Sequence, residues 1–307
     1  MVGGKSWREK MFTVSNVIFM LFVMVITIYP FWFSVANSLN TGDDLVSGPI
    51  FLWPREFTWA SWRTILADPG ILQSIWISGS RTVIVTIVSI LYTAMFTYAF
   101  SRPYLKGKKM YVIIGFTSMY FSGGLIPSYM LMNWLGLYDS YWVYIIPSLF
   151  GGFWNVIILN ANFKAIPEAL YESVKIDGAN EFTIFFRIVI PLSKPVLAAL
   201  SVFTAVATWN DYGTTLYFTQ SSELQTLQYM ILKLIQSTDA INQMANVVSA
   251  NNPAVAELYS RAQGHGIVTA KTLQLSAMVL SSLPMVIIYP FAQKFFIKGV
   301  LLGSVKG

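Results

Sequence analysis

Four consecutive residues, Trp209, Asn210, Asp211 and Tyr212, place two aromatic rings beside an amide and a carboxylate. Carboxylates and amides hydrogen-bond to hydroxyl groups, and aromatic faces pack against the C–H side of a sugar ring. A charged side chain at mid-bilayer costs about 2.5–3.5 kcal/mol on insertion scales, so it usually faces protein or water. The cluster is therefore a candidate sugar contact. The alternative is a helix-packing cluster in which Asp211 pairs with Arg81 or with a backbone group.

Tyr120, Tyr129 and Asn133 are further candidates for the solute pathway, because they offer two phenol rings and an amide within one apolar block. Aromatic residues make up 16% of the chain, however. Trp and Tyr collect at the two membrane–water interfaces of membrane proteins, so most of them are expected in such belts.

Composition excludes several other site chemistries. Cysteine is absent, which rules out disulfides, thiolate metal sites and cysteine nucleophiles. The one histidine, His265, lies in the polar stretch QGHGI and is interpreted as a solvated residue. The opening GGKS would need another glycine five positions before Gly4 to form a phosphate-binding loop. Neither an HExxH motif nor a serine–base constellation is visible, so no catalytic residue, metal site or ATP site is expected on this chain.

The balance of apolar and charged residues indicates an integral membrane protein. The 307 residues are 55% hydrophobic and 11% charged, against about 25% charged in an ordinary soluble domain. The net charge of +6 does not indicate nucleic acid, because the basic residues stand at the ends of apolar blocks and form no patch. In a membrane protein such residues determine topology.

The apolar blocks predict an all-α polytopic membrane protein with six transmembrane helices, since each crossing needs about 20 apolar residues. The transmembrane domain is expected over 12–293, between terminal segments 1–11 and 294–307. Prolines in or beside the spans predict bends, either as packing kinks or around a pathway. The expected spans are 12–36, 76–100, 110–132, 140–160, 196–218 and 272–293.

The distribution of Lys and Arg predicts the orientation. Most of these residues fall in the segments that share a side with the N-terminus, and few fall in the opposite loops. Because cytoplasmic loops carry the excess of positive charge, both termini are expected in the cytoplasm.

A charged loop between the fourth and fifth spans, residues 161–195, interrupts this apolar pattern. Its sequence YESVKIDGANEFTIFFRIVIP predicts a helix that starts near Pro167, turns at Gly178 and begins again with Asn180 as a cap. A rigid projection of this kind suits docking into a groove on a partner protein. The alternative is an amphipathic loop that lies on the lipid headgroups.

The 161–195 loop resembles one found in permease subunits of ATP-binding-cassette importers, of the form E-A-A-x-x-x-G, nine residues, then I-x-L-P. Ser173 and Val174 stand in place of two alanines, and Ile190 in place of leucine. The positions that fit the spacing are Glu172, Ser173, Val174, Gly178, Ile188, Ile190 and Pro191, with Asp177 and Ala179 completing D-G-A.

Other stretches extend the resemblance over most of the chain. WND at Trp209–Asp211 and the tail FIKGVLLGSVKG are typical of the sugar-importer branch of these permeases. FSGGLIPSY, from Phe121 to Tyr129, resembles the subset associated with complex oligosaccharides in Gram-positive bacteria.

The resemblance implies one of two permease subunits of a type I importer for an oligosaccharide, in a bacterial plasma membrane. The implied partners are a second similar permease, two cytoplasmic ATPases that bind the ATP and Mg, and an extracytoplasmic sugar-binding protein. No cofactor is expected on this chain. An acidic residue at the position of Glu172 meets basic groups of the ATPase in this family. The implied coupling helix consists of Glu172, Ser173, Val174, Asp177, Gly178 and Ala179.

The segment 219–270 is expected outside the cell, with an amphipathic helix over LQTLQYMILKLI. It is interpreted either as a docking surface for the sugar-binding protein or as a lid over the permease. Two other functions stay open: an importer permease for a solute other than sugar, and a secondary transporter. A secondary transporter is disfavoured because it would show intramembrane carboxylates or cation sites, often in an inverted repeat.

Overall fold

The structure is a computed structural model that describes residues 7–149, 151–238 and 266–304, without the side chains of Val46 and of most of 291–304. Within these ranges the chain is helical, and the only β-type pairing is an isolated bridge between Asn40 and Phe57. The prediction of an all-α fold is therefore confirmed.

Fourteen helices are described, and two short 3-10 turns, Tyr141–Tyr144 and Ile146–Ser148, precede α7. A π-helical turn, Phe185–Val189, joins α9 to α10. The helices are α1 (Trp7–Ser38), α2 (Gly42–Val46), α3 (Ala60–Ala67), α4 (Pro69–Ser101), α5 (Lys108–Tyr120), α6 (Leu125–Trp134), α7 (Phe153–Lys164), α8 (Glu168–Ile176), α9 (Glu181–Ile184), α10 (Ile190–Leu192), α11 (Lys194–Asn210), α12 (Gly213–Phe218), α13 (227–238) and α14 (Ala270–Ser304).

Among the described helices, three are long and apolar enough to cross a membrane alone: α1, α4 and the 270–290 part of α14. Three bent pairs raise the number to six if each pair forms one span. The pairs are α5 with α6 at 113°, the 3-10 turns with α7 at 44°, and Glu181–Leu192 with α11 at 80°.

Three of the expected spans are not continuous helices. Over the expected span 140–160, two 3-10 turns are followed by α7, which begins only at Phe153. The expected helix over 110–132 breaks between α5 and α6, where Gly124 has a φ of +85° that side chains with a Cβ rarely adopt. The expected helix over 196–218 ends at Asn210, because Asp211 is extended and α12 starts afresh at Gly213. The expected boundary at 293 is not a helix end either, since α14 continues to Ser304.

Tertiary contacts divide the chain into two units, 1–69 with 231–283 and 70–230 with 284–307. In the first unit, the Asn37 amide donates to the carbonyl of Ile50 at 2.7 Å, and the Ile50 N–H donates back to it. Ser61 donates to Thr272 at 2.8 Å and ties α3 to α14. The apolar window of α1 has no buried residue, so this helix presents its surface to lipid or to another protein.

In the second unit, α4 packs against α7, α11 and the helices of the 161–195 loop. The contacts form one hydrophobic core that surrounds the cytoplasmic half of α4 if the predicted orientation holds. Its buried members are Ile90, Ala94, Tyr98, Leu159, Phe163, Tyr171, Ile184, Phe185, Val189, Leu197 and Leu200. Most of the loop residues in this core belong to α8, α9 and the π-helical turn. The 161–195 loop is therefore packed against α4.

The absence of cysteine allows the orientation to be tested with single cysteines at exposed serines. We expect Ser47→Cys and Ser222→Cys to react with a membrane-impermeant maleimide in intact cells, because both lie in predicted outer segments. Ser173→Cys, in α8, should react only after the membrane is permeabilised. If Ser173→Cys is labelled in intact cells while Ser47→Cys and Ser222→Cys are not, the topology is the opposite of the predicted one.

Candidate functional site

The 161–195 loop has the local structure that its sequence predicts. Helix α8 ends at a turn in which Gly178 has a φ of +80° and donates its N–H to the carbonyl of Lys175 at 3.0 Å. The chain starts again at α9, where the side chain of Asn180 accepts the N–H of Thr183 at 2.8 Å. Pro167 lies one position outside the first residue of α8. The residues at the ends of α8 and α9 therefore determine the turn between these two helices.

Helix α8 has one buried side and one open side. Tyr171 is 1% exposed and belongs to the core, whereas Ile176 is 85% exposed. Leu170 is also exposed. Of the residues assigned to coupling, Glu172, Ser173, Asp177 and Gly178 are exposed, and Val174 and Ala179 are half-buried against the core. The open side therefore carries polar groups around one uncovered isoleucine.

Arg102 joins α8 to the end of α4. This arginine is 4% exposed, and its guanidinium carbon lies 3.8 Å from the ring centroid of Tyr171 and 4.9 Å from that of Tyr98. Cation–π contacts of this kind contribute about 2 kcal/mol or more when desolvated. The pair with the exposed Glu168, at 3.9 Å, adds little. Arg102 therefore holds the inner face of α8 against α4.

Glu181 forms a second link between the loop and α4. Its carboxylate accepts hydrogen bonds from the hydroxyls of Tyr98 and of Tyr104, the latter at 3.0 Å, and pairs with Lys175 at 2.9 Å. The loop is thereby tied to α4 on both sides of the Gly178 turn.

The titration of this second link follows from its contacts. Burial raises the pKa of Glu181, but hydrogen bonds from Tyr98, Lys175 and Tyr104 outweigh it and leave the pKa below its ordinary value. The hydrogen bond to Glu181 raises the pKa of Lys175. Because the carboxyl pKa is lowered and the amine pKa is raised, both groups are charged around neutral pH. The ion pair is lost when the pH falls through the lowered pKa of Glu181 or rises through the raised pKa of Lys175.

Arg81 lies within α4, twelve residues after its first residue, and binds the end of α11. It is 1% exposed; its guanidinium donates to the Asp211 carboxylate at 3.2 Å, to the Thr208 carbonyl at 2.7 Å and to the Asp211 carbonyl. The ring of Tyr144 lies 4.9 Å from the guanidinium carbon. A cation at the C-terminal end of a helix is also stabilised by the helix dipole. The packing alternative for Asp211, a pair with Arg81, is present in the structure.

The other candidate solute contacts differ in exposure. Trp209 is buried, whereas Asn210 and Tyr212 are exposed; Asn210 accepts a hydrogen bond from Gln228 at 3.4 Å. The α5 and α6 candidates occupy different positions: Tyr120 ends α5 and is 84% exposed, while Tyr129 and Asn133 lie one turn apart on α6. Asp211 is partly exposed despite its pair with Arg81. The assignment of all seven residues to a solute pathway stays a prediction.

A polar cavity of about 390 Å³ lies beside the Arg81 contact, between α4, α7 and α11. Sequence patterns did not single it out, because its hydroxyls and amide come from four separate elements. Thr208, whose carbonyl binds Arg81, is one of its walls. The polar lining residues are Ser89, Ser148, Asn155, Thr204 and Thr208. Such groups can hydrogen-bond to a hydroxyl-rich solute.

The sequence did not identify Arg102, Glu181 or Tyr98 as functional residues. The sequence feature that could have identified Arg102 is the rarity of charged residues. In a chain with 11% charged residues, an arginine at the end of an apolar block needs either lipid headgroups or a protein partner. Among the described residues, no group of three or more potential metal ligands occurs.

The segment 219–270, which the sequence predicts to lie outside the cell, is described only in part. The expected helix over LQTLQYMILKLI is confirmed by α13, which covers 227–238. The preceding turn is held by Asp139, whose carboxylate accepts from the N–H groups of Gln220 and Ser221, both at 2.8 Å. His265 and the polar stretch 239–264 lie outside the described residues.

Comparison with known proteins gives consistent matches along the chain. The family model described as "Binding-protein-dependent transport system inner membrane component" matches residues 1–302. Protein LplC of Bacillus subtilis (strain 168) is 35% identical over 298 residues, which are 97% of this chain and 96% of that protein. The polygalacturonan/rhamnogalacturonan transport system permease protein YtcP of the same organism is 35% identical over 98% of this chain and 100% of its own length.

Among solved structures, the fold matches a crystal structure of a bacterial ABC transporter involved in the import of the acidic polysaccharide alginate. The TM-score is 0.82 at 24% identity, with 96% of this chain and 100% of that chain covered. A second crystal structure, of a bacterial alginate ABC transporter in complex with a pentasaccharide-bound periplasmic protein, matches with a TM-score of 0.59 at 15% identity over 93% and 92%.

Removal of the Asp211 carboxylate is expected to destabilise the protein. In Asp211→Ala the buried guanidinium of Arg81 loses its anion, at a cost of roughly 1–3 kcal/mol for an unpaired buried donor. The expected result is a lower melting temperature of the detergent-purified protein.

Asn210→Ala, at an exposed neighbour, is the matched control and should melt like the wild type. The double variant R81M/D211A should recover part of the loss, because no buried charge remains unpaired. An unchanged melting temperature in Asp211→Ala would contradict the structural role of the pair.

Proposed function

Because the chain belongs to the family of binding-protein-dependent transport system inner membrane components, we propose that it is one of two permease subunits of a type I importer for oligosaccharides. Membership of this family makes it a transport subunit whose ATP hydrolysis takes place on separate proteins. The oligosaccharide, the partner subunits and the orientation in a bacterial plasma membrane are parts of the proposal.

The observation that carries this proposal is the two-sided construction of α8. Its inner side is fixed to α4 through Tyr171 and Arg102. Its open side exposes Glu172, Ser173 and Ile176, of which Ile176 is 85% exposed. A short helix that is packed on one side and leaves polar groups and an isoleucine open on the other can dock into a groove on a partner protein. A loop that only rested on headgroups would not need its inner side held by a buried arginine.

In the proposed mechanism, the open side of α8 binds a groove on a cytoplasmic ATPase, and Glu172 meets basic groups there. ATP and Mg bind to the ATPase pair, whose closure moves α8. Since Arg102 and Glu181 fix the 161–195 loop to α4, the movement reaches the membrane helices and not only the loop. The permease then alternates between inward-open and outward-open states.

A second permease subunit is supported by α1. This helix has no buried residue in its apolar window, although van der Waals packing between helices is the main stabilising contact in a membrane. A similar permease packed on α1 would supply that contact and complete the pathway between the two subunits. The outer segment 219–270 would receive the sugar-binding protein, or act as a lid.

The oligosaccharide is supported by the polar cavity and by the relatives. One relative at 35% identity is named for transport of polygalacturonan and rhamnogalacturonan. The hydroxyl and amide groups around the cavity of about 390 Å³ suit a sugar. Contacts from Asn210, Tyr212 and the exposed part of Asp211 belong to the same proposal. A solute other than sugar would use the same fold with different partners.

The proposal is tested by purifying the chain from its native membrane and measuring ATPase activity and oligosaccharide uptake in liposomes. A cytoplasmic ATPase should co-purify, and Gly178→Pro should insert normally yet uncouple ATP hydrolysis from uptake. Proline cannot adopt the φ of +80° and removes the N–H that binds Lys175.

Gly178→Ala is the matched control, since no atom lies within 4 Å of the added Cβ. It retains the N–H, costs only about 1–2 kcal/mol of backbone strain and should keep most of the uptake. Full uptake in Gly178→Pro would refute the coupling role of the loop. Uptake by the chain alone, without an ATPase, would indicate a secondary transporter.

A further inference from the structure

An apolar groove with a basic end runs between α5 and α7, at the opposite surface of α7 from the polar cavity. Its volume is about 610 Å³, within the range of about 300–1,000 Å³ of small-molecule sites. Lys108, Lys109 and Lys164 lie at one end, and no acidic residue is among its walls. The walls along the rest of the groove include Val112, Phe116 and Phe153.

The charge and the apolar surface of this groove are separated along the helix axes. Lys108 and Lys109 open α5, while Lys164 closes α7. Phe116 lies seven residues after Lys109, which is about 10 Å along a helix. The groove is therefore basic at the level where the helices leave the membrane and apolar toward its interior.

The basic end is organised by the protein. The Lys108 amine lies 5.1 Å from the ring centroid of Phe100 and is held there by a cation–π contact. The first turn of α5 has no side-chain cap, so its N–H groups add positive potential beside the lysines. None of the three lysines forms an ion pair within the described part of the chain.

We infer that the α5–α7 groove binds an anionic phospholipid, with the headgroup phosphate at the three lysines and one acyl chain along Val112, Phe116 and Phe153. Charge complementarity selects an anion, and the apolar walls select a lipid over a free phosphate. A phospholipid carries its charge at the headgroup and its apolar surface along the acyl chains, in the same order as the lysines and the apolar walls of the groove. A protein helix would have to reproduce that order in its own side chains. Lipid binding here is independent of the solute that the chain transports.

The test is native mass spectrometry of the full chain with the subunits that accompany it, delipidated and then exposed to phosphatidylglycerol or phosphatidylcholine. We expect retained phosphatidylglycerol and little phosphatidylcholine. The triple variant K108Q/K109Q/K164Q should bind phosphatidylglycerol at least about tenfold more weakly, since each lysine near a phosphate contributes about fivefold.

The control K106Q/R187Q/K194Q removes the same charge from exposed positions outside the groove and should bind like the wild type. Ile157→Trp, which fills the groove and leaves the lysines, should also lose the lipid. Equal retention of both lipids, equal binding by the triple variant and its control, or competition by inorganic phosphate alone would each overturn the inference. A groove covered by a co-purified subunit would overturn it as well.

Discussion

Two buried arginines, one within α4 and one directly after its last residue, are the constraint on which the rest of the structure depends. Arg81 is 1% exposed and Arg102 is 4% exposed. A guanidinium does not lose its charge in a protein, and a buried charge without partners is too costly to keep. Each arginine therefore requires a fixed set of neighbours. Arg81 finds them at the end of α11, and Arg102 finds them in α8 and in α4 itself.

These two contacts connect the loop to the polar cavity through one helix. The arginines are separated by the length of α4 between them, about 30 Å at 1.5 Å per residue, which matches the thickness of a hydrocarbon core. The segment from α8 to Asp211 is thus held at both of its ends by the same helix. In the proposed mechanism, a push on the open side of α8 would move α4 with it. The cavity between α4, α7 and α11 lies beside the Arg81 contact.

Local features of this chain were predictable because they depend on neighbouring residues. The turn at Gly178 and the cap at Asn180 follow from backbone preferences within a few residues, and α13 follows from a local pattern. The pair between Arg81 and Asp211 was foreseen only as an alternative, since 130 positions separate its members. The packing of Arg102 between Tyr98 and Tyr171 was missed, because the sequence shows an isolated charge and not the aromatic rings that the fold brings to it. The break at Asp211 was missed because composition alone favours a continuous span.

The most direct test of the central claim is the distance between α8 and the end of α4 during the transport cycle. Spin labels at Ser173→Cys in α8 and at Lys106→Cys in the turn that follows α4, both exposed in this cysteine-free chain, report it by double electron–electron resonance in the assembled importer. If the loop and α4 move as one body, the distance distribution is the same without nucleotide and with ATP trapped, and it broadens when Arg102→Ala removes the contact. A distance that shifts with ATP in the protein that keeps Arg102 would contradict the account.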